Sequence, residues 1–211
     1  MKAIINSFVI VFVTAVTIFS QGFNVKASGE QTFSFTDKYG RNQATFFSTT
    51  PLEDITGITN DVKGNVTFDV SNFSTLKGKI SISVASLKTG IDLRDEHLRS
   101  ANWLDAESYP EVFFEIKSVN DVQVVEPNKL RAEVTGDFTA HGVTKEVVAD
   151  ATVTYLDESE DTQKRAPGDL LGVQAKFKII LSDFDVDNMV LGQKVSDEIE
   201  ISVNIAGSNA N

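Results

Sequence analysis

The stretch that decides the fold reads LRAEVTGDF over residues 130–138 and continues as VVADATVTY over residues 147–155. In both segments every second residue is apolar or small, and most of the residues between them are polar. This period of two is typical of a β-strand with one buried face and one exposed face. His141-Gly142, which lies between the segments, has the composition of a tight turn, so the pair is predicted to form an antiparallel hairpin.

The same alternation recurs in both directions along the chain from this hairpin. Strong examples cover residues 66–70, 80–84, 173–181 and 199–205. Weaker strands are predicted over residues 31–36, 43–50 and 112–125. Most of the gaps are too short for the helical crossovers that parallel strands need, so the sheet is predicted to be antiparallel.

Residues 92–106 interrupt the strand pattern. Asp92 is placed to act as a helix N-cap, and acidic residues follow it in the first turn. The leucines of this segment fall roughly on one side of a helix. We therefore predict a short helix that ends before Tyr109-Pro110, and a polar, acidic loop over residues 157–169.

Two architectures would protect the edges of so many strands, a closed barrel and a two-sheet sandwich. The period alone is compatible with both. The alternating rows are long, which favours a barrel of tilted strands. We predict an all-β fold, an antiparallel eight-stranded barrel with a short helical insert.

The first 27 residues have the layout of a secretory signal peptide. A lysine follows the initial methionine, residues 3–19 are mainly apolar, and Val25-Lys26-Ala27 places small or apolar residues before the cut. We predict cleavage after Ala27, a folded domain over residues 28–211, and no membrane span in the cleaved chain. An earlier cut near Gly22 and an uncleaved anchor are the alternatives.

Composition limits the partners and the compartment. The formal net charge of −11 opposes binding to nucleic acids and to anionic membrane surfaces, whose phosphates would repel the chain. The chain has no cysteine, so neither a disulfide nor a lipid-modified cysteine is available. We expect a protein that is stabilised by its core alone.

Catalytic and metal-binding patterns are weak. His97 and His141 are the only histidines, and no metal-ligand spacing or activated nucleophile accompanies them. The aspartates at 183, 185 and 187 lack the glycine and the distal glutamate of a calcium-binding loop. We predict no enzymatic activity, no metal and no cofactor.

Two blocks of sequence resemble one known family. Residues 86–114 contain RDEHLRS, then WLD and YPEVFF, and residues 134–147 read VTGDFTAHGVTKEV. Together with weaker matches at 181–184 and 195–201, they are similar in order and spacing to the YceI-like family. The resemblance implies an elongated lipocalin-like barrel, exported to the periplasm, in a family several of whose members bind a polyisoprenoid chain or isoprenoid quinone inside the barrel. The region 36–43 lacks the family's His-Ser pair, which leaves the ligand's identity open.

The residues alone allow either an open lumen or a packed core, because small side chains on the inner face fit both. The resemblance favours an open lumen. An apolar chain would then gain roughly 0.8 kcal/mol per buried CH₂. The predicted ligand contacts, in the lumen or at its mouth, are Trp103, Leu104, Phe113, Phe114, Phe138 and Phe177. The alternative for Trp103 is a core plug that closes one end of the barrel.

We therefore expect a periplasmic or secreted protein that carries a long apolar ligand, a polyisoprenoid, isoprenoid quinone or similar lipid. The alternative is a structural or stress-related interaction protein with a closed core and no lipid ligand. A homodimer is left open.

Overall fold

The computed structural model describes residues 21–210, so most of the predicted signal peptide lies outside the described residues. Ten strands and two short α-helices follow one another in this part of the chain. The strands are β1 (Glu30–Ser34), β2 (Gln43–Thr49), β3 (Asp54–Thr59), β4 (Val62–Asp69), β5 (Asn72–Ser83), β6 (Glu111–Glu126), β7 (Lys129–Ala140), β8 (Val143–Leu156), β9 (Leu170–Ile180) and β10 (Glu198–Ser208). The helices are α1 (Asp92–Arg99) and α2 (Glu160–Gln163). Among these elements, no helix is long and apolar enough to cross a bilayer.

The strands form one antiparallel sheet that closes on itself where β1 pairs with β10. Two positions in the barrel are each occupied by two successive strands. The first position is shared by β1 and β2, which both pair with β10. The next position is shared by β4, which pairs with β1, and β3, which pairs with β2. The ten strands therefore fill eight positions, and the predicted eight-stranded antiparallel barrel with a helical insert is confirmed.

Asn42 bridges the break between β1 and β2. Its fully buried side chain donates from Nδ2 to the carbonyl oxygens of Phe35, at 2.7 Å, and Ala206, at 3.2 Å. Its Oδ1 accepts the backbone N–H of Ala206 at 2.8 Å. The side chain thus pairs backbone groups of β10 that the interrupted ladder leaves open, as buried polar groups require.

The predicted hairpin between β7 and β8 is confirmed. Ala140 pairs with Val143, and the two residues between them have positive φ, +49° at His141 and +75° at Gly142. This is the backbone that a two-residue type I′ turn requires, and its twist matches that of the strands.

Two local features differ from the sequence prediction. The alternation does not predict β3, because a glycine interrupts its apolar face. The structure explains Gly57, since a Cβ there would lie 2.0 Å from the ring of Phe46. The N-cap prediction was wrong: α1 begins at Asp92, which is already helical, and Ile91 precedes it without a capping side chain.

The interior contains two apolar clusters, one towards each end of the barrel. The lower cluster is rich in aromatic side chains and includes Phe23, Phe33, Phe68, Phe73 and Tyr155. The upper cluster lies beneath α1 and includes Val112, Phe138, Phe177, Ile179 and Phe184. The alternating rows therefore share one interior that is screened from water by the closed sheet.

Residues 21–27 lie across the lower end and are called the N-terminal strap below. The backbone N–H of Phe23 donates to the carbonyl of Val70 at 2.8 Å, and that of Asn24 donates to the carbonyl of Pro127 at 2.7 Å. The ring of Phe23 is buried in the lower cluster. The strap is thus part of the packed barrel.

Candidate ligand cavity

A cavity of about 750 Å³ runs inside the barrel. Its wall is formed mainly by the inward rows of the strands, and most of its side chains are aliphatic or aromatic. Representative wall residues are Ile82, Phe114, Phe138, Ala151, Phe177 and Ile201. Such a volume lies within the range of small-molecule sites.

The lower end of the cavity is closed by aromatic rings packed edge-to-face and at tilted angles. Phe73 is the last ring on the cavity wall, and beyond it Phe23, Phe68 and Tyr155 fill the barrel. The ring centroids of Phe23 and Phe73 are 5.7 Å apart, and those of Phe23 and Tyr155 are 5.6 Å apart. Contacts of this kind are favourable, so this end is a solid floor.

The floor's one hydroxyl is satisfied. The Tyr155 hydroxyl donates to a carboxylate oxygen of Asp169 at 2.6 Å. Burial raises the pKa of the Tyr155 hydroxyl well above its usual value, and the hydrogen bond and negative charge of Asp169 raise it further. Tyr155 therefore stays neutral and closes the floor without an unpaired polar group.

Helix α1 stands at the upper end, where a buried carboxylate holds it. Asp95 accepts hydrogen bonds from the backbone N–H and the hydroxyl of Thr89, at 2.7 and 2.5 Å. Burial would raise the pKa of Asp95, but these hydrogen bonds and the charges of Arg99 and Arg94 lower it below its usual value. The ionised carboxylate thus anchors the helix to the irregular segment that precedes it.

Arg94 of α1 makes its polar contacts outside the helix. Arg94 donates to Thr89 and reaches out to Glu53, in the turn between β2 and β3, at 3.3 Å. This pair is partly exposed and contributes little to stability. Its consequence is positional, because it joins two of the segments that surround the cavity mouth.

Trp103 and Leu104 follow α1 and border the cavity from above. Both are partly buried and pack against the upper cluster. The segment is held by the carbonyl of Asn102, which accepts a hydrogen bond at 3.3 Å from Asn188 in the connection between β9 and β10. Trp103 therefore lies at the mouth, where it faces cavity space as well as core.

Phe114, Phe138 and Phe177 form one aromatic wall just below the mouth. The ring centroids of Phe114 and Phe177 are 5.8 Å apart, and those of Phe138 and Phe177 are 5.4 Å apart. Gly136 makes room for this wall, because a Cβ at that position would lie 2.4 Å from the ring of Phe114.

Phe113 also borders the cavity, but it differs from its neighbour Phe114. Successive strand residues point to opposite faces of the sheet, so the two rings cannot both enter the lumen. The ammonium of exposed Lys79 lies 3.3 Å from the centroid of the Phe113 ring. We keep Phe114, and not Phe113, as a proposed ligand contact.

Sequence reasoning missed part of the upper wall. Phe46 comes from β2, Ile55 comes from the glycine-interrupted β3, and Phe184 and Val186 come from the irregular connection after β9. The only available signal was the pair of apolar residues two apart at 184 and 186. Phe184 and Val186 reach the cavity only because their segment folds back over the barrel.

The histidines show no catalytic arrangement. His141 Nδ1 lies 3.0 Å from the carbonyl oxygen of Phe184, and exposed His97 lies at the cavity mouth. Over residues 21–210, no group of three or more His, Asp or Glu side chains is placed to hold a metal ion. The site offers a mainly apolar volume, and the charged residues that line it, Glu53, Arg94 and Lys194, lie outside the strands.

The family profile described as the YceI-like domain matches residues 23–207. This chain belongs to the YceI-like family. Among relatives of this YceI-like protein, the UPF0312 protein plu2095 of Photorhabdus laumondii is 36% identical over 154 residues, 72% of each chain. Protein YceI of Escherichia coli O157:H7 is 33% identical over 151 residues, again 72% of each chain.

Solved structures show the same fold. BcnA of Burkholderia cenocepacia is 20% identical, with a TM-score of 0.64 over 81% of this YceI-like chain and 99% of its own. A polyisoprenoid-binding domain from Saccharophagus degradans is 14% identical, with a TM-score of 0.60 over 87% of this chain and 100% of its own. At these identities the likeness establishes the barrel alone.

Proposed function

We propose that this protein binds a long apolar chain in the barrel lumen and carries it through water. The observation that supports this most directly is the cavity itself, which is apolar, closed at the floor and open at the mouth. A hydrocarbon chain that enters it leaves water over its whole length, which favours binding by roughly 0.8 kcal/mol per CH₂ before the ordering costs are subtracted. No charged partner is needed inside.

The proposed ligand class is a polyisoprenoid, an isoprenoid quinone or a similar lipid. The Saccharophagus degradans domain with the same fold is described as polyisoprenoid-binding. The wall here offers both aromatic rings and branched aliphatic side chains, which suit methyl-branched chains. Trp103, Leu104, Phe114, Phe138 and Phe177 are the proposed contacts.

A lumen-filling variant tests this proposal. Ala175 lines the cavity, whereas its neighbour Gln174 is exposed on the outside of β9. Ala175→Phe should abolish loading of a polyprenol, and Gln174→Phe should leave loading unchanged. Trp103→Ala should weaken loading without unfolding the barrel.

The readout is mass spectrometry of an organic extract from the purified protein, together with uptake of a polyprenol series added from ethanol. Circular dichroism checks that each variant is folded. Extracts without lipid, combined with equal and negligible uptake by the parent protein and Ala175→Phe, would remove the proposal.

The protein is proposed to act after export, in the periplasm or outside the cell. The strap bears on where the leader ends. A cut after Gly22 follows small residues at Ser20 and Gly22, as signal peptidase requires, and retains Phe23 in the floor. The predicted cut after Ala27 would remove Phe23. We propose the earlier cut, which sequencing of the exported protein's N-terminus tests.

A further inference from the structure

Four exposed apolar side chains surround the cavity mouth and are called the apolar rim below. Leu52 is 86% exposed, Ile91 52%, Leu93 61% and Met189 93%. They belong to the β2–β3 turn, to the start of α1 and to the connection between β9 and β10. Single exposed apolar residues are common, but a group around one opening needs a reason.

The three rim segments are held beside one another. Arg94 of α1 pairs with Glu53, next to Leu52, at 3.3 Å. Asn188, next to Met189, donates to the carbonyl of Asn102 at 3.3 Å. The Ser196 backbone N–H donates to Ser48 Oγ at 2.9 Å, which joins the β9–β10 connection to the end of β2. The rim is thus one surface at the upper end of the barrel.

The apolar rim is continuous with the lumen. Ile91 and Leu93 are exposed to solvent and also line the cavity. Most other exposed apolar side chains, such as Val148, lie on the outer wall of the barrel within strands. An apolar path therefore leads from solvent, over the rim and into the lumen.

We propose that the apolar rim docks on the surface of a lipid bilayer, so that the ligand passes between membrane and lumen without crossing water. This inference rests on the proposed function, because a long apolar ligand resides in bilayers. The net charge of −11 selects among surfaces: an anionic bilayer repels the protein, and an uncharged or zwitterionic one does not.

Vesicle flotation tests the docking directly. The full exported protein should float with phosphatidylcholine vesicles, and replacing part of the lipid with phosphatidylglycerol should reduce the floating fraction. The double variant Leu52→Ser/Met189→Ser should partition at least tenfold less, since the two lost apolar contacts together exceed the free energy of a factor of ten. Val148→Ser is the matched control, because Val148 is 52% exposed but lies away from the mouth.

Transfer kinetics separate this proposal from the proposed function. A polyprenol added from ethanol should load the double variant as well as the parent protein, whereas transfer from vesicles should slow by about tenfold. Failure of both routes in the parent protein would defeat the proposed function, while flotation would still decide the docking.

Three results would overturn the docking. The first is a parent protein that does not float, and the second is a double variant that floats as well as the parent. The third is a dimer that the double variant abolishes in the absence of vesicle binding, which would assign the rim to a second copy of the chain.

Discussion

Gly136 illustrates how single residues shape the lumen. On an ordinary strand a glycine weakens packing, but here its missing Cβ lets the Phe114 ring lie against the wall. The same relation holds between Gly57 and Phe46 on the opposite side. At both positions, the missing glycine side chain lets a bulky aromatic ring lie against the wall of the cavity.

Asp95 carries a pH dependence at the residue scale. Its pKa in the folded protein is lowered below the ordinary value of 3.8, so the ionised form favours folding. This contribution is present above pH 3.8 and is lost as the pH falls through the folded-state pKa. Asp95→Asn should therefore lower the melting temperature at pH 7, and the difference from the parent should narrow below pH 3.8.

Thermal melts from pH 7 downward measure this difference. Glu96→Gln, an exposed change on the same helix, is the control and should have little effect at any pH. A difference between Asp95→Asn and the parent that persists unchanged into acid would contradict the role assigned to the carboxylate.

The N-terminal strap is the feature of most consequence at the element scale. It contributes no strand to the barrel, yet its aromatic side chain completes the floor. A chain that begins at Ser28 should therefore be less stable than one that begins at Phe23. The loss should be about 3–5 kcal/mol, the usual cost of removing a buried Phe side chain.

Urea denaturation of the two chains measures the free energy of unfolding. Phe23→Ala in the longer chain should reproduce most of the loss, while Val25→Ala should cost less because Val25 is only partly buried. Equal stabilities of the two chains would mean that the strap is dispensable to the floor.

At the scale of the whole molecule, the barrel encloses a cavity of about 750 Å³ where a close-packed protein would have core side chains. A ligand that fills the lumen binds only the folded state and stabilises it by mass action. With ligand about 100-fold above its dissociation constant, the gain is about 2.7 kcal/mol. For a domain of this size that corresponds to a rise in melting temperature of roughly 5–10 °C.

Calorimetry of the lipid-loaded and the extracted protein tests this expectation. Ala175→Phe supplies the matched control, because its filled lumen should show no rise on adding a polyprenol. Identical melting temperatures for loaded and extracted parent protein would argue against binding in the lumen.

Much of the fold could be predicted because alternating apolar residues and turn residues are local patterns in the sequence. The rows from Leu130 to Phe138 and from Val147 to Tyr155 became paired strands, joined by the turn at His141-Gly142. Strand β3 escaped prediction because the need for Gly57 arises from Phe46, its partner across the β2–β3 pair, and not from the alternation within β3. Phe23 escaped for another reason, since it lies in a segment that reads as part of a leader.

The residues of the candidate site also divide into those that the sequence could assign to the inner face and those that it could not. Phe138 and Phe177 could be assigned to the inner face from alternation alone, whereas Phe113 and Phe114 could not be told apart, because the phase of β6 depends on its partners. Phe184 and Val186 join the wall from a connection without a repeating pattern. No local signal indicates where such a segment folds back.

The amino-acid order was sufficient to specify most of the strands, the inner faces of the strongly alternating ones and the hairpin, because a period of two and a tight turn are local properties of the backbone. Closure between Ser34 and Ser208, the aromatic floor and the grouping of three distant connections around one mouth came from the folded chain. Each depends on pairing and packing between remote residues, and the space left between them is what makes the interior a cavity.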